Sequence, residues 1–299
     1  MNKSNSLNYV KNRTSILCPT RNRPEALMRM ISSALEHAGC SENVEFCFYI
    51  DEDDTSYKIE TLELLTKNIT LIRGPKVSLS SMYNTLINHS TGEFLLWTGD
   101  DTRFQTINWE KKLQFPIELV PDKLVVSYAN DLGNYRQIYA TNGMVHRRWI
   151  QIFGFLFTPH MRDNGVDFWI SYVARNANRL VYCEDVIIEH LQYRQNKAPD
   201  DETYSSRRIE HQSYNLPELY HACRGERQRD AVILQVAINQ VPKPKLGFSL
   251  GTLMAKFLCW KNVDFKSTGK FIYFCSIPDS YFILKIVRKF LFLPPLKMH

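Results

Sequence analysis

The chain is 299 residues long, 44% hydrophobic and 23% charged, with a net charge of +6. That balance excludes a disordered or fibrous chain and allows one large domain, or one domain with an appendage, around a substantial core. The charge does not support a whole-chain nucleic-acid binder, because it sits in the tail: from Pro242 onward ten Lys/Arg face two Asp/Glu, a balance of +8, so the first 241 residues are net −2.

The N-terminus has no apolar h-region, so a signal peptide is not expected. Thr14 to Leu17 reads as a short strand ending in Cys-Pro-Thr-Arg-Asn-Arg-Pro, and a helix follows over about Glu25 to Ala38. Val44 to Ile50 is a second strand, stopped by Asp51-Glu52-Asp53-Asp54. Tyr57 to Leu65 is helical, Ile69 to Ile72 a third strand, and Ser80 to Asn88 a helix leading to a fourth strand, Phe94 to Trp97. Beyond it, strands are expected at Leu124 to Tyr128, Gln137 to Met144, Leu180 to Tyr182 and Val186 to Glu189. Helices are expected near Arg147 to Phe153 and, capped by Asp163, over Gly165 to Asn176. Seven cysteines, an odd number without a Cys-x-x-Cys pair, read as reduced thiols of a cytoplasmic protein.

Strands alternating with helices imply a Rossmann-like, mostly parallel sheet flanked by helices. The loops after strands one, two and four then share one edge, so Cys18 to Arg23, Asp51 to Asp54 and Asp100-Asp101 converge where open α/β sheets bind ligands. Asp100 and Asp101 repel each other unless something positive stands between them. A divalent cation, Mg2+ or Mn2+ on phosphates, meets that need; a solvated Gly-Asp-Asp turn is the plain alternative. No Gly-x-Gly-x-x-Gly is present, which disfavours a dinucleotide.

The series Cys-Pro-Thr-Arg-Asn-Arg-Pro, Tyr-Ile-Asp-Glu-Asp-Asp, Thr-Gly-Glu-Phe-Leu-Leu-Trp-Thr-Gly-Asp-Asp and Ile-Ile-Glu-His resembles the family-2-like glycosyltransferases of the GT-A fold over roughly residues 14 to 210. Asp163-Asn164 through His190, followed by Lys197 to Tyr204, is similar to a bacterial and phage branch of that family. The resemblance implies a nucleotide-diphosphate-sugar donor, a divalent metal (Mn2+ or Mg2+) and inversion at the anomeric carbon. Pro19, Thr20, Arg21 and Arg23 then line the nucleotide pocket, Asp51 approaches the base or ribose, and Asp100 lies near the ribose. Asp101 and His190 bind the metal, although the motif here reads Thr98-Gly99-Asp100-Asp101, without the first Asp of a strict Asp-x-Asp. An attacking acceptor hydroxyl needs a general base: Asp163 is the choice, as the helix-start position that faces the site in the related pattern, with Asp167 one turn on as runner-up. A plain N-cap is the bland reading of Asp163.

The expected layout is an N-terminal extension (1–13), a transferase domain (14–240) with a nucleotide-sugar half (14–101) and an acceptor half (102–240), and a basic, aromatic-rich appendage (241–299). In the appendage, Tyr281 to Leu293 places Lys285, Arg288 and Lys289 on one helical face of an apolar run too short to span a bilayer. It suits a helix lying on an anionic membrane surface or one packed on the main domain; the acceptor is a glycan or a lipid-linked one. Two rivals are a sugar-phosphate nucleotidyltransferase, which calls for a Gly- and Lys-containing loop where Cys18 to Pro24 has neither, and a non-catalytic nucleotide-sugar or membrane-binding module.

Overall fold

In a computed structural model, which describes residues 9–133, 138–163, 165–191, 197, 201, 205 and 215–239, strands β1 (Val10–Thr20), β2 (Val44–Asp51), β3 (Ile69–Gly74) and β4 (Gly92–Trp97) form a parallel sheet ordered β3-β2-β1-β4. Helices α1 (Pro24–Glu36), α2 (Ile59–Glu63) and α3 (Leu79–Asn88) make the crossovers. The sheet then turns mixed: β7 (Gly143–His146) runs antiparallel to β4, and β6 (Val126–Asn130), β8 (Leu180–His190) and β5 (Thr102–Phe104) follow outward. Helices α4 (Trp109–Glu118), α5 (Arg148–Phe153), α6 (Val166–Asn176), α7 (Leu216–Ala222) and α8 (Arg224–Asn239) complete the described residues.

The inner strands are apolar on both faces because both faces are covered. On β4, Phe94 and Leu96 join the core beneath α1 and α4, while Leu95 and Trp97 join the core beneath α3, α5, α6 and α8. Each such side chain contributes about 1.5–3 kcal/mol by leaving water. Trp97 is held hard: its Nε1 donates to Ala140 O at 3.1 Å, and a Cβ on Gly143 would meet its ring at 2.3 Å. Arg147 fastens the far end of the sheet. Its buried guanidinium donates to the carbonyls of Gly92, Ile87 and Ser90 and to the Ser90 hydroxyl, and burial lowers its pKa.

Several boundaries differ from the sequence reading. The two strands expected within 180–189 are one, β8, with exposed Glu184 and Asp185 mid-strand; its register against β6 shifts between Ala129 and Asn130. The strand expected over 137–144 starts only at Gly143, and residue 137 lies outside the described residues. Helix α4 was not expected and lacks the usual start and interior signals: its N-cap Asn108 is left-handed (φ 59°) without a side-chain cap, and Pro116 lies inside it. The helix expected over 281–293 and the appendage as a whole also lie outside the described residues.

Candidate active site

The three loops meet at the carboxyl edge as the topology requires. Pro19 is buried at the end of β1, paired in register with Tyr49. From there a hydrogen-bond relay crosses the edge. The Arg23 N–H donates to Tyr57 Oη (2.8 Å), the Tyr57 hydroxyl donates to Thr20 Oγ1 (2.6 Å), and Thr20 Oγ1 donates to Asp100 Oδ2 (2.6 Å). Burial raises the Tyr57 pKa and so keeps its proton in place as the donor. The Arg23 side chain continues the contact, with Nη1 3.2 Å from Asp100 Oδ1 and 3.7 Å from Asp101 Oδ2.

Arg21 turns toward the second loop. It makes a two-pronged contact with Asp53 (2.6 and 2.8 Å) and a third bond to Asp51 Oδ2 (2.8 Å), and the Asp53 bond leads the causes that raise its pKa. Asp54 accepts the Asn22 N–H at 2.7 Å, which ties the first loop to the second. Asp51 is only 3% exposed, and its Oδ1 has no hydrogen-bond partner among the described residues. A buried acceptor left in that state costs about 1–3 kcal/mol. An N–H or O–H arriving from a ligand would relieve it.

Asp101 and His190 come together. Their Oδ1 and Nε2 atoms lie 3.2 Å apart, because the short β5 pairs with β8 so that Thr102 sits opposite His190. Two backbone bonds clamp the junction: Leu191 N–H to Asp101 O (2.7 Å) and His190 N–H to Asp131 O (3.0 Å). The Asp101 carboxylate folds back over Gly99, where a Cβ would stand 2.6 Å from Oδ1. Gly99 is therefore part of the site: only a residue without a side chain lets the carboxylate lie there.

The expected helix cap is absent. The N-cap of α6 is Gly165 in a left-handed conformation (φ 91°), and Asp163 Oδ1 instead accepts the Leu79 N–H (3.0 Å) at the first turn of α3. Asp167, in the first turn of α6, accepts the Phe168 N–H (2.9 Å). Some of its surface reaches solvent, yet protein crowds its carboxyl; that burial pushes the pKa up to about 6, Asp131 adds to the rise, and His190 opposes it. Within α3, the Asn84 amide bonds Leu156 N–H, Phe157 N–H and Phe157 O, tying that helix to the strap before α6. Trp149 is 3% exposed and packs in the core. Tyr57 and Gly99 were not singled out from the sequence, and Asp53 and Asp54 entered only as part of the acidic run 51–54 expected at this edge. Asp201, which grips Arg23 from the far side, was not singled out either.

The family model for glycosyl transferase family 2 matches residues 15–170, more than half of the chain. The chain belongs to glycosyl transferase family 2. No curated protein sequence matches it. Among solved structures, the mannosyltransferase PcManGT from Pyrobaculum calidifontis, in complex with GDP-Man and Mn2+, is similar over 93% of this chain and 80% of its own, at 13% identity and a TM-score of 0.51. GalNAc-T7 with UDP, GalNAc and Mn2+ is similar over 60% of this chain and 43% of its own, at 13% identity and a TM-score of 0.51. S. aureus TarS 1-349 in complex with UDP is similar over 90% and 77%, at 11% identity and a TM-score of 0.51. The chain spans 36% of the longer S. aureus TarS chain that it also matches. These similarities show the fold, the GT-A type of α/β sheet, and the order β3-β2-β1-β4 with its mixed extension is this family member's version of it.

Proposed function

We propose that this chain transfers a sugar from a nucleoside-diphosphate donor to an acceptor hydroxyl with inversion, and that residues 14–240 carry the reaction. The contact between Asp101 and His190, set at the edge where Thr20, Arg23 and Asp51 meet, carries this reading. Mn2+ accompanies a nucleotide or nucleotide sugar in two of the structural neighbours, PcManGT and GalNAc-T7.

The residues present fit a divalent cation. A carboxylate and an imidazole are joint ligands suited to Mn2+. Among the described residues no three His, Cys, Asp or Glu side chains form a metal-binding group. Two protein ligands leave the other positions to donor oxygens and water, which is the ordinary arrangement for such ions on phosphates. Asp101 and His190 would hold the cation, and when bound it neutralises charge on the departing diphosphate.

The chain's own groups supply the rest. The open Oδ1 of Asp51 accepts a hydrogen bond from the base or ribose, and Asp100, oriented by Thr20 and Arg23, lies near the ribose. Arg21 and Arg23 offer guanidinium donors to the diphosphate. Of the two carboxylates before and within α6, Asp167 is better suited than Asp163 to take the proton of the attacking hydroxyl. A base works best with a pKa near the working pH, and the Asp167 carboxyl stands at about 6, whereas one Asp163 oxygen is engaged by Leu79. Single displacement follows: the acceptor oxygen bonds the anomeric carbon on the face opposite the diphosphate, which leaves with its electron pair as Asp167 gains the proton.

The acceptor is a glycan or a lipid-linked glycan, and the basic tail, through Lys285, Arg288 and Lys289, meets the anionic membrane that would carry the latter. Among the described residues no helix is long and apolar enough to cross a membrane. A panel of nucleotide sugars, assayed for hydrolysis with Mn2+ present and after chelation, tests the central assignment. Cleavage of at least one donor that stops on chelation is expected. No turnover of any donor, or turnover indifferent to chelation, overturns it.

A further inference from the structure

Arg23 is gripped from two sides. Its Nη1 faces the Asp pair at 3.2 Å (Asp100) and 3.7 Å (Asp101), while Nε and Nη2 form a two-pronged bond to the carboxylate of Asp201 at 2.6 and 2.7 Å. The guanidinium is almost wholly buried, with 7% of the side chain exposed against 34% for Asp201. Parallel N–H···O bonds to one carboxylate are the geometry an arginine holds most firmly, so the Asp201 fork fixes the guanidinium plane. Contacts to Asp100 and Asp101 are single and longer.

The arrangement has a consequence for any cation at Asp101. An arginine next to that carboxylate is a competitor: it neutralises the same oxygens and repels a second positive charge. Asp201 acts on both effects. Its fork turns two of the three guanidinium nitrogens away from the Asp pair, and its charge offsets the charge of Arg23.

We infer that Asp201 is a positioning residue that keeps Arg23 from occupying the Asp101 carboxylate and so sets the affinity of the site for a divalent cation. The inference rests on the reading of Asp101 and His190 as metal ligands. It assigns a role at the donor edge to a residue beyond β8, far from the Asp pair in sequence.

Mn2+ binding to the full chain, followed by the loss of the free-ion electron paramagnetic resonance signal, tests the idea without reference to turnover. Asp201→Asn is expected to weaken Mn2+ binding by roughly 3–10-fold, the size of one unscreened charge at a partly exposed site. Asp201→Glu, which keeps the charge, is expected to stay within about twofold of wild type on the same grounds. In the double variant Arg23→Gln/Asp201→Asn the competitor is gone, and affinity is expected to return to the wild-type value or better. Far-ultraviolet circular dichroism confirms that each variant is folded. Unchanged affinity in Asp201→Asn overturns the inference. So does a double variant as weak as Asp201→Asn, since Asp201 would then act on the cation directly. A wild-type chain that binds no Mn2+ removes the metal reading itself.

Discussion

The imidazole Nε2 of His190 stands 3.2 Å from Oδ1 of Asp101, although the two are separated by most of the acceptor half. One strand pairing produces the contact: β5 and β8 align Thr102 with His190, and the residue just before that rung is Asp101. Asp101 is buried and the His190 side chain is 21% exposed, so the pair is largely shielded from water but open on one side. Their proximity is better explained by what they bind than by what they hold together.

Replacing either member should therefore separate function from folding. Asp101→Asn and His190→Ala are each expected to lower Mn2+ affinity and metal-dependent turnover by at least ~10–100-fold. Thermal unfolding of the metal-free chain should move little. Isothermal titration and a melting curve on the same samples check both halves.

Gly99→Ala is expected to weaken Mn2+ binding roughly tenfold by pushing the Asp101 carboxylate off its seat, because the added Cβ would meet Oδ1 at 2.6 Å. The aspartate oxygen can swing away, so the fold should survive. Wild-type metal affinity in this variant would show that the carboxylate need not lie over Gly99.

Asp167 predicts opposite signs for stability and activity. Its folded pKa, about 6, lies above the ordinary 3.8, so the folded state binds the proton more tightly. Its stabilising contribution is complete at low pH and is lost as pH rises through about 6. At pH 7 the ionised carboxylate then costs about 1–3 kcal/mol. Asp167→Asn should raise the melting temperature of the metal-free protein at pH 7, lose that gain below pH 4, and abolish transfer. If Asp163→Asn stops transfer while Asp167→Asn does not, the base belongs to Asp163.

Arg147 supplies a control remote from the edge. Arg147→Ala leaves the carbonyls of Gly92, Ile87 and Ser90 without their donor in a buried setting, at a cost of roughly 3–5 kcal/mol. Urea unfolding should show the lower midpoint.

The tail reading is checked by flotation with anionic liposomes. Wild-type chain should float, and Lys285→Glu/Arg288→Glu/Lys289→Glu should remain at the bottom. Equal recovery of the two would remove membrane docking.

Much of this was legible from residue order. The runs 46–50 and 94–97 are apolar without a break because helices cover both sheet faces. The Asp pair follows β4 and His190 is the last residue of β8, so both could be expected at a strand end. What could not be read depended on distance in space or on missing signals. Helix α4 begins at an uncapped left-handed asparagine and encloses a proline. Asp163 looks like a cap for the next helix but serves α3, a partner known only after folding. The Arg23–Asp201 fork joins the first loop to the region after β8, and no local pattern announces it.

The most direct test is anomalous diffraction from crystals soaked in Mn2+ together with a nucleotide diphosphate. A single strong peak touching both the Asp101 carboxylate and His190 Nε2 is the predicted result. A peak elsewhere, with His190 still bonded to Asp101, would contradict it.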